Sequence, residues 1–310
     1  MCNENTLPVF EISNFDDYNN CMKFDTDFYV RRFSNHVKEN EFIEKPHGHN
    51  FYLILIITQG SGTHTIDFLE YDVFPGAMFI VSPGQIHQWN LSKEVDGFIL
   101  FFTKEFFLHD FDTEKLTRFP FFNSTFSSPF FTLNPLEQKE IVSTYQLILK
   151  EYKNRTLHYE EMIRIFLNAM FIKLTRLYPQ QNKDYPKFGY DLILLNKYEA
   201  LVDKYYTLHR PISCYSEKLN ITVRQLSYLC KKTVGKNPSE ILTDRIILEA
   251  KRLIIHSDLS ITSIAEVLNY NDSSYFIRLF KKTTRQTPEQ FRQSQFENYS
   301  LSEDRLFPFL

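Results

Sequence analysis

Apolar residues repeat with one period in the first third of the chain and with another in the rest. Up to about residue 102 they form short aromatic or β-branched runs at 28–33, 51–57, 64–69, 78–81 and 98–102, which read as strands. Gly60, Gly62, Pro75-Gly76 and Pro83-Gly84 fall at turn positions between them. The spacing predicts a small antiparallel barrel or sandwich, a size that can hold one small ligand. Further on, Ile141, Tyr145, Ile148, Leu149 and Tyr152 make one helical stripe, with Pro135 where a first turn accepts it. Ile163, Phe166, Leu167, Met170, Phe171 and Leu174 make another. This helical hairpin can pack on the barrel or pair with a second subunit, and periodicity leaves both open. Between barrel and hairpin, residues 98–133 are rich in phenylalanine. Core packing is the plainer reading, and a lid over an apolar ligand the alternative.

The polar stretch PQQNKDYPKFG after Tyr178 reads as a linker. Beyond it Leu194, Tyr198, Leu201, Val202 and Tyr205 predict a further helix. At 261–292, ITSIAEVLNYNDSSYFIRLFKKTTRQTPEQFR, the residues Ile261, Ile264, Ala265 and Leu268 share one helical face. Asn269 to Asn271 suits a turn, Asn271 or Asp272 can cap a second helix, and Phe276, Leu279 and Phe280 point inward. Ser273, Ser274, Ile277, Arg278, Lys281 and Lys282 are left outside. The pattern is a helix-turn-helix with a polar, basic face suited to a DNA major groove.

The same pattern occurs earlier. Ile212, Tyr215, Ser216 and Leu219 match it at an offset of 49, and Leu226, Leu229, Cys230, Lys231 and Lys232 at an offset of 50. The change of one falls inside the turn. Both copies end in a helix start, Asn237-Pro238-Ser239-Glu240 and Thr287-Pro288-Glu289-Gln290. The helix begun at Pro238 carries Leu242, Ile246, Ala250, Leu253 and Ile254 inward and runs to about His256. At ~1.5 Å per residue it spans roughly 28 Å, close to the ~34 Å between successive major grooves on one face of B-DNA.

Length and charge sharpen this division. A chain of 310 residues suits two domains, and its net charge of −3 is uneven. Residues 212–292 hold 13 Lys/Arg against 8 Asp/Glu, the remainder 22 against 30, so only the C-terminal part has nucleic-acid electrostatics. Cys2, Cys21, Cys214 and Cys230 lack paired spacing, which suggests reduced thiols rather than a disulfide framework or zinc knuckle. The start MCNENTLPVF is unlike a signal peptide, and no apolar run approaches a membrane span, so a cytoplasmic location is expected. No Gly-rich phosphate loop or hydrolase elbow is present.

From Leu192 to Gln293 the chain resembles the DNA-binding domain of the AraC/XylS family of transcription regulators, most specifically through IAEVLNYNDSSYFIRLFKKTTRQTPEQFR. The N-terminal part resembles a cupin through Pro46-His47-Gly48-His49 with Gly60, and through Gly76, Pro83-Gly84, His87 and Asn90. The glutamate of metal-binding cupins is missing, since Leu53 or Ile54 stands in its place, so no metal or other cofactor is expected. Three imidazoles alone can still hold a transition metal, or else bond a polar ligand or line the barrel mouth.

The resemblance implies an α+β multidomain protein. Residues 1–178 would form a cupin-like antiparallel β-barrel with a helical hairpin, for effector binding and dimerisation. Residues 179–190 would be a linker, 191–296 an all-α domain with two helix-turn-helix motifs, and 297–310 a tail. The family's base contacts carry over to Arg224, Ser227 and Tyr228 in the first recognition helix and Ser273, Ser274 and Arg278 in the second. Lys231, Lys232, Lys281 and Lys282 suit phosphates. The cupin-like motifs nominate His47, His49, Tyr52, His87 and Trp89 for the effector. Two departures stand out: Asn269 and Arg285 occupy positions that are usually glycine. The expected function is sequence-specific transcription regulation, not catalysis, by a homodimer that binds double-stranded DNA and a small effector. RNA polymerase is among the partners such a regulator can engage. The alternatives are a metal-dependent cupin enzyme fused to DNA-binding helices, or a regulator whose barrel only dimerises.

Overall fold

The computed structural model describes residues 8–15, 27–40, 45–111, 115–122, 128–181 and 190–294. They divide into two compact units, with the boundary after Asn196. The expected linker at 179–190 falls mostly outside the described residues, and the expected tail at 297–310 wholly outside.

Among the described residues the N-terminal unit holds ten strands. They are β1 (Val9–Phe10), β2 (Phe28–Arg32), β3 (His47–His49), β4 (Tyr52–Gln59), β5 (Gly62–Ile66), β6 (Leu69–Val73), β7 (Ala77–Val81), β8 (Ile86–Leu91), β9 (Asp96–Phe102) and β10 (Phe130–Thr132). One sheet runs β1-β3-β8-β5-β6 and the other β10-β7-β4-β9-β2. Every pairing is antiparallel except β1 with β3. The run expected at 64–69 is two strands, because the chain turns at Asp67 (φ 52°) and Leu69 begins β6.

Alternation sorts the second sheet. Leu53, Leu55, Ile57, Phe79, Val81, Ile99 and Phe101 face the first sheet and pack with Trp89, Ile66 and Val73. Ile54, Ile56, Met78, Ile80, Phe98, Leu100 and Phe102 face the opposite way, into a second apolar layer. With both faces covered, these strands are almost continuously apolar, as in LILII and FILFF. Gly97 is required by close packing: a Cβ there would lie 1.9 Å from the Ile56 carbonyl oxygen.

The second layer is closed by helices. Among the described residues these are α2 (Lys104–Leu108), α3 (Pro135–Asn154) and α4 (Tyr159–Gln181), while α1 (Phe33–Glu39) packs Phe33 and Val37 on the other side, between the sheets. Asn134 caps α3, accepting from the Leu136 and Glu137 N–H groups, while Glu137 accepts from the Asn134 N–H. Ile141, Tyr145 and Ile148 of α3 and Ile163, Leu167, Met170, Phe171 and Leu174 of α4 pack on the sheet, so the hairpin's apolar stripes are used within the chain. Phe106, Phe107, Phe119, Phe121, Phe122 and Phe131 fill the same layer, which makes the phenylalanine-rich stretch core packing.

Helix α5 (Tyr190–Tyr205) leads into the C-terminal unit. There follow α6 (Ile212–Lys218), α7 (Val223–Val234), α8 (Pro238–His256), α9 (Ile261–Val267), α10 (Ser273–Thr284) and a last helix at 288–294. Helices α6–α7 and α9–α10 are the two helix-turn-helix copies, and α8 joins them. On α8 the buried positions are Pro238, Ile241, Ile246, Ile247, Ala250 and Ile254, with Arg245 and Arg252. Leu242 and Leu253, expected inside, are half-buried.

Candidate nucleic-acid interface and ligand pocket

Both second helices of the motifs start from firm caps. Thr222 Oγ1 accepts from the Gln225 N–H at 3.1 Å and Gln225 Oε1 accepts from the Thr222 N–H at 2.8 Å, which fixes the start of α7. On α10 the Asp272 carboxylate accepts from the Ser274 N–H at 2.8 Å. The turns preceding them bring Asn220 (φ 54°) and Asn269 (φ 61°) into the left-handed region, and the helices end at Gly235 (φ 71°) and Arg285 (φ 69°). Arg285 therefore takes the conformation that glycine takes in the first copy.

These ends set which faces point out. Helix α7 buries Leu226, Leu229, Cys230 and Thr233, and α10 buries Phe276 and Phe280. Arg224, Tyr228, Lys231 and Lys232 are exposed on α7, with Ser227 half-buried. Ser274, Arg278, Lys281 and Lys282 are exposed on α10, with Ser273 half-buried. The expected DNA contacts thus share the outer face of their own helix. The Arg278 guanidinium lies 3.8 Å from the Asp272 carboxylate near the start of α10. Both side chains are well exposed, so the pair contributes little and the guanidinium remains available to another acceptor. Tyr275, which the sequence reading passed over, also stands exposed on α10, next in sequence to Ser274.

A buried ionic group stiffens α8 between the motifs. Arg245 donates to Asp203 at 2.7 Å and to Glu249 at 2.8 Å, and its guanidinium lies 4.2 Å from the centre of the Tyr206 ring. Burial works against the charged guanidinium, but Asp203 and Glu249 more than offset it and push its pKa upward. Sequence periodicity gave no sign of this, because an arginine on a helix reads as a solvated face.

The interior of the N-terminal unit is unexpectedly polar. His36, His47, His49, His64, His87 and Trp89 are all buried there. His47 Nδ1 donates to the Lys45 carbonyl at 2.8 Å and His49 Nδ1 to the Phe51 carbonyl at 2.7 Å, leaving each Nε2 as a lone pair. His64 Nε2 and His87 Nδ1 share a hydrogen bond of 3.1 Å, and the Trp89 ring lies 4.8 Å from that of His87. Burial, aided by neighbouring charges including the His47 imidazole, lowers the pKa of His36 and of His49 to about 3. Burial likewise holds His64 and His87 well below the usual range and lowers His47. His36 Nε2, His49 Nε2, His64 Nδ1, His87 Nε2 and Trp89 Nε1 have no protein partner among the described residues. Among those residues, no group of three or more His, Cys, Asp or Glu side chains is placed to hold a metal ion.

Four of the five nominated effector residues, His47, His49, His87 and Trp89, come together in this way. Tyr52 does not join them. It stacks on Phe102 at 5.0 Å and meets Phe122 at 4.9 Å, on the helix-covered side of the second sheet. Beside Trp89 a cavity of about 210 Å³ opens to solvent, bounded by Ser34, Val37 and Lys38 of α1 and by Ser92 and Lys93 of the β8–β9 turn. Lys38 and Lys93 had no signal in the sequence, since α1 was not anticipated. No helix among the described residues is long and apolar enough to cross a membrane.

Comparison with known proteins agrees with this two-part layout. Residues 27–155 match the AraC-like ligand binding domain and 215–294 a helix-turn-helix domain. The chain is 23% identical over 265 residues to the transcriptional activator RhaS of Pectobacterium carotovorum, covering 81% of this chain and 88% of that protein. It is 22% identical over 255 residues to the arabinose operon regulatory protein of Salmonella typhimurium, covering 81% and 86%. Among solved structures, ToxT of Vibrio cholerae with a bound unsaturated fatty acid is 18% identical, with a TM-score of 0.41 and coverage of 87% and 96%. With a ligand-binding domain followed by a paired helix-turn-helix domain, the chain belongs to the AraC family of transcription regulators.

Proposed function

We propose that one chain reads two blocks of duplex DNA, α7 entering one major groove and α10 the next, under control of a small molecule held in the N-terminal unit. The observation that carries this is the pair of capped helices, each presenting an exposed arginine and two exposed lysines, joined by the single helix α8. Arg224 and Arg278 read base edges together with Ser227, Tyr228, Ser273 and Ser274, and the four lysines meet phosphates. Selection of bound fragments from random duplex DNA tests it. A reproducible motif of two blocks about one helical turn apart supports the reading, and no enrichment overturns it.

The effector is a small molecule with an acidic group, seated on Trp89 between Lys38 and Lys93. Two ammonium groups among the lining residues, with no carboxylate, support that choice. A panel of carboxylic acids should raise the melting temperature where matched neutral amides do not. Joint Lys38→Ala and Lys93→Ala substitution should abolish the rise, and equal shifts for acid and amide would contradict the assignment.

The protein works in the cytoplasm without catalysing a reaction, and RNA polymerase is its partner at promoters. It is a homodimer, supported by the exposed stripe Met162, Ile165 and Ile172 along α4. Sedimentation of Ile165→Glu/Ile172→Glu as a monomer is expected, and an unchanged dimer would exclude that face.

A further inference from the structure

The chain leading into the first motif is tied to the turn of the second. His209 Nε2 donates to the Leu268 carbonyl at 2.8 Å, and the Asn269 amide donates to the Thr207 carbonyl at 3.0 Å. The His209 imidazole also lies 4.3 Å from the Tyr270 ring, centre to centre. Thr207 and His209 stand just before α6, while Leu268, Asn269 and Tyr270 make the turn between α9 and α10. The contact reaches the second recognition helix directly, since the Tyr270 ring lies 5.5 Å from Phe276 and 5.9 Å from Tyr275.

Two features mark this junction as more than surface contact. His209 (φ 46°) and Asn269 (φ 61°) both adopt left-handed backbone, which is unfavourable for a residue with a Cβ. Asn269 also stands where the family pattern has glycine. Glycine would hold that backbone without strain but would have no amide to offer Thr207. We infer that residues 207–209 and the turn 268–270 form a strap fixing the angle between α7 and α10, so that His209 and Asn269 are positioning residues for two-block recognition. Helix α8 is the covalent connection between the motifs. The strap supplies a second tie and closes the ring of elements from α6 through α9. This rests on the proposed reading of two DNA blocks by one chain.

The test uses the full chain as wild type, Asn269→Gly, His209→Ala and His209→Gln. The probes are the duplex selected by wild type, the same duplex with one base pair inserted or deleted between the blocks, and a duplex with one block scrambled. Two hydrogen bonds of ordinary strength are together worth about tenfold in an equilibrium. Wild type should therefore prefer the native spacing by about tenfold over either altered spacing. Asn269→Gly and His209→Ala should reduce that preference to about threefold or less while binding the scrambled duplex as wild type does. His209→Gln, whose amide can donate to the Leu268 carbonyl, should restore it. Unchanged spacing preference in both variants, or an equal loss on all duplexes, overturns the strap, the latter because simple destabilisation of the turn would act that way. A wild type that selects one block only overturns the two-block reading itself, before any variant is compared.

Discussion

In the second helix-turn-helix motif Ile261 and Leu268 are buried, whereas their counterparts Ile212 and Leu219 in the first are half-buried. On the recognition helices the order reverses. Leu229 and Thr233 are buried in α7, while the matching Leu279 is half-buried and Thr283 exposed in α10. The two copies share the position of their caps, their left-handed turns and the φ of their final residues, yet they rest on the domain by opposite helices. A motif's geometry is set by its turn and cap residues, and which side chains fill its core is a separate matter. The sequence suggests that the second copy, with Phe280 in place of Cys230 and Ala265 in place of Ser216, holds the core. In the structure the load is divided. Tyr215 meets Tyr198 edge-on at 5.8 Å in the first copy, where burial pushes the Cys230 thiol up to about 12, and Ser216 is satisfied by the Ser213 carbonyl at 2.9 Å.

The largest expected contrast is in stability. Phe280→Ala removes a fully buried ring that packs on Phe276 and Phe291, and should cost about 3–5 kcal/mol in denaturant unfolding. Cys230→Ala should cost only about 1 kcal/mol, the sulfur's share of buried area. Equal losses would mean that the division of burial has no energetic meaning. Next in size is DNA affinity. Arg278→Ala should weaken binding to the selected duplex by about 1–3 kcal/mol and spare random duplex, read by competitive gel shift. Equal loss on both would make Arg278 a phosphate contact. The smallest contrast lies at the helix ends. Arg285→Gly should raise stability by about 1 kcal/mol, and Gly235→Ala should lower it by a similar amount, because an added Cβ at Gly235 meets nothing within 4 Å and only the backbone conformation is penalised. Thermal melts of both variants that move in the same direction would show that the two ends are not equivalent.

How much could be read in advance depended on whether burial left a trace in residue type. Strands β4, β7 and β9 were legible because both of their faces are covered. Strand β8, IHQWNL, was missed because it turns His87 and Trp89 inward with polar neighbours between, and a histidine facing a barrel interior looks the same in sequence as one facing water. Tyr52 lies away from the other nominated residues because, with Leu53, Leu55 and Ile57 facing the first sheet, alternation assigns position 52 to the helix side. The outward faces of α7 and α10 were legible for their arginines and lysines, all exposed, while Leu279, expected inside, and Ile277, expected outside, are both half-buried. The burial of Arg245 and Arg252 was not legible, because Glu249 at helical spacing suggests only solvated pairs, and Asp203 becomes a neighbour of Arg245 only through the fold. At Arg285, a position that is usually glycine, the residue type does not show the backbone conformation, and the arginine adopts the glycine one.

The central claim is that the two copies read separate blocks of one site, and repeated selection from random duplex DNA with Arg224→Ala and Arg278→Ala in parallel tests it most directly. Wild type should return two conserved blocks about one helical turn apart. Arg224→Ala should blur one block and leave the other intact, and Arg278→Ala should do the converse. If both substitutions erode the same block, or either removes both, the copies do not read independently and the account is wrong.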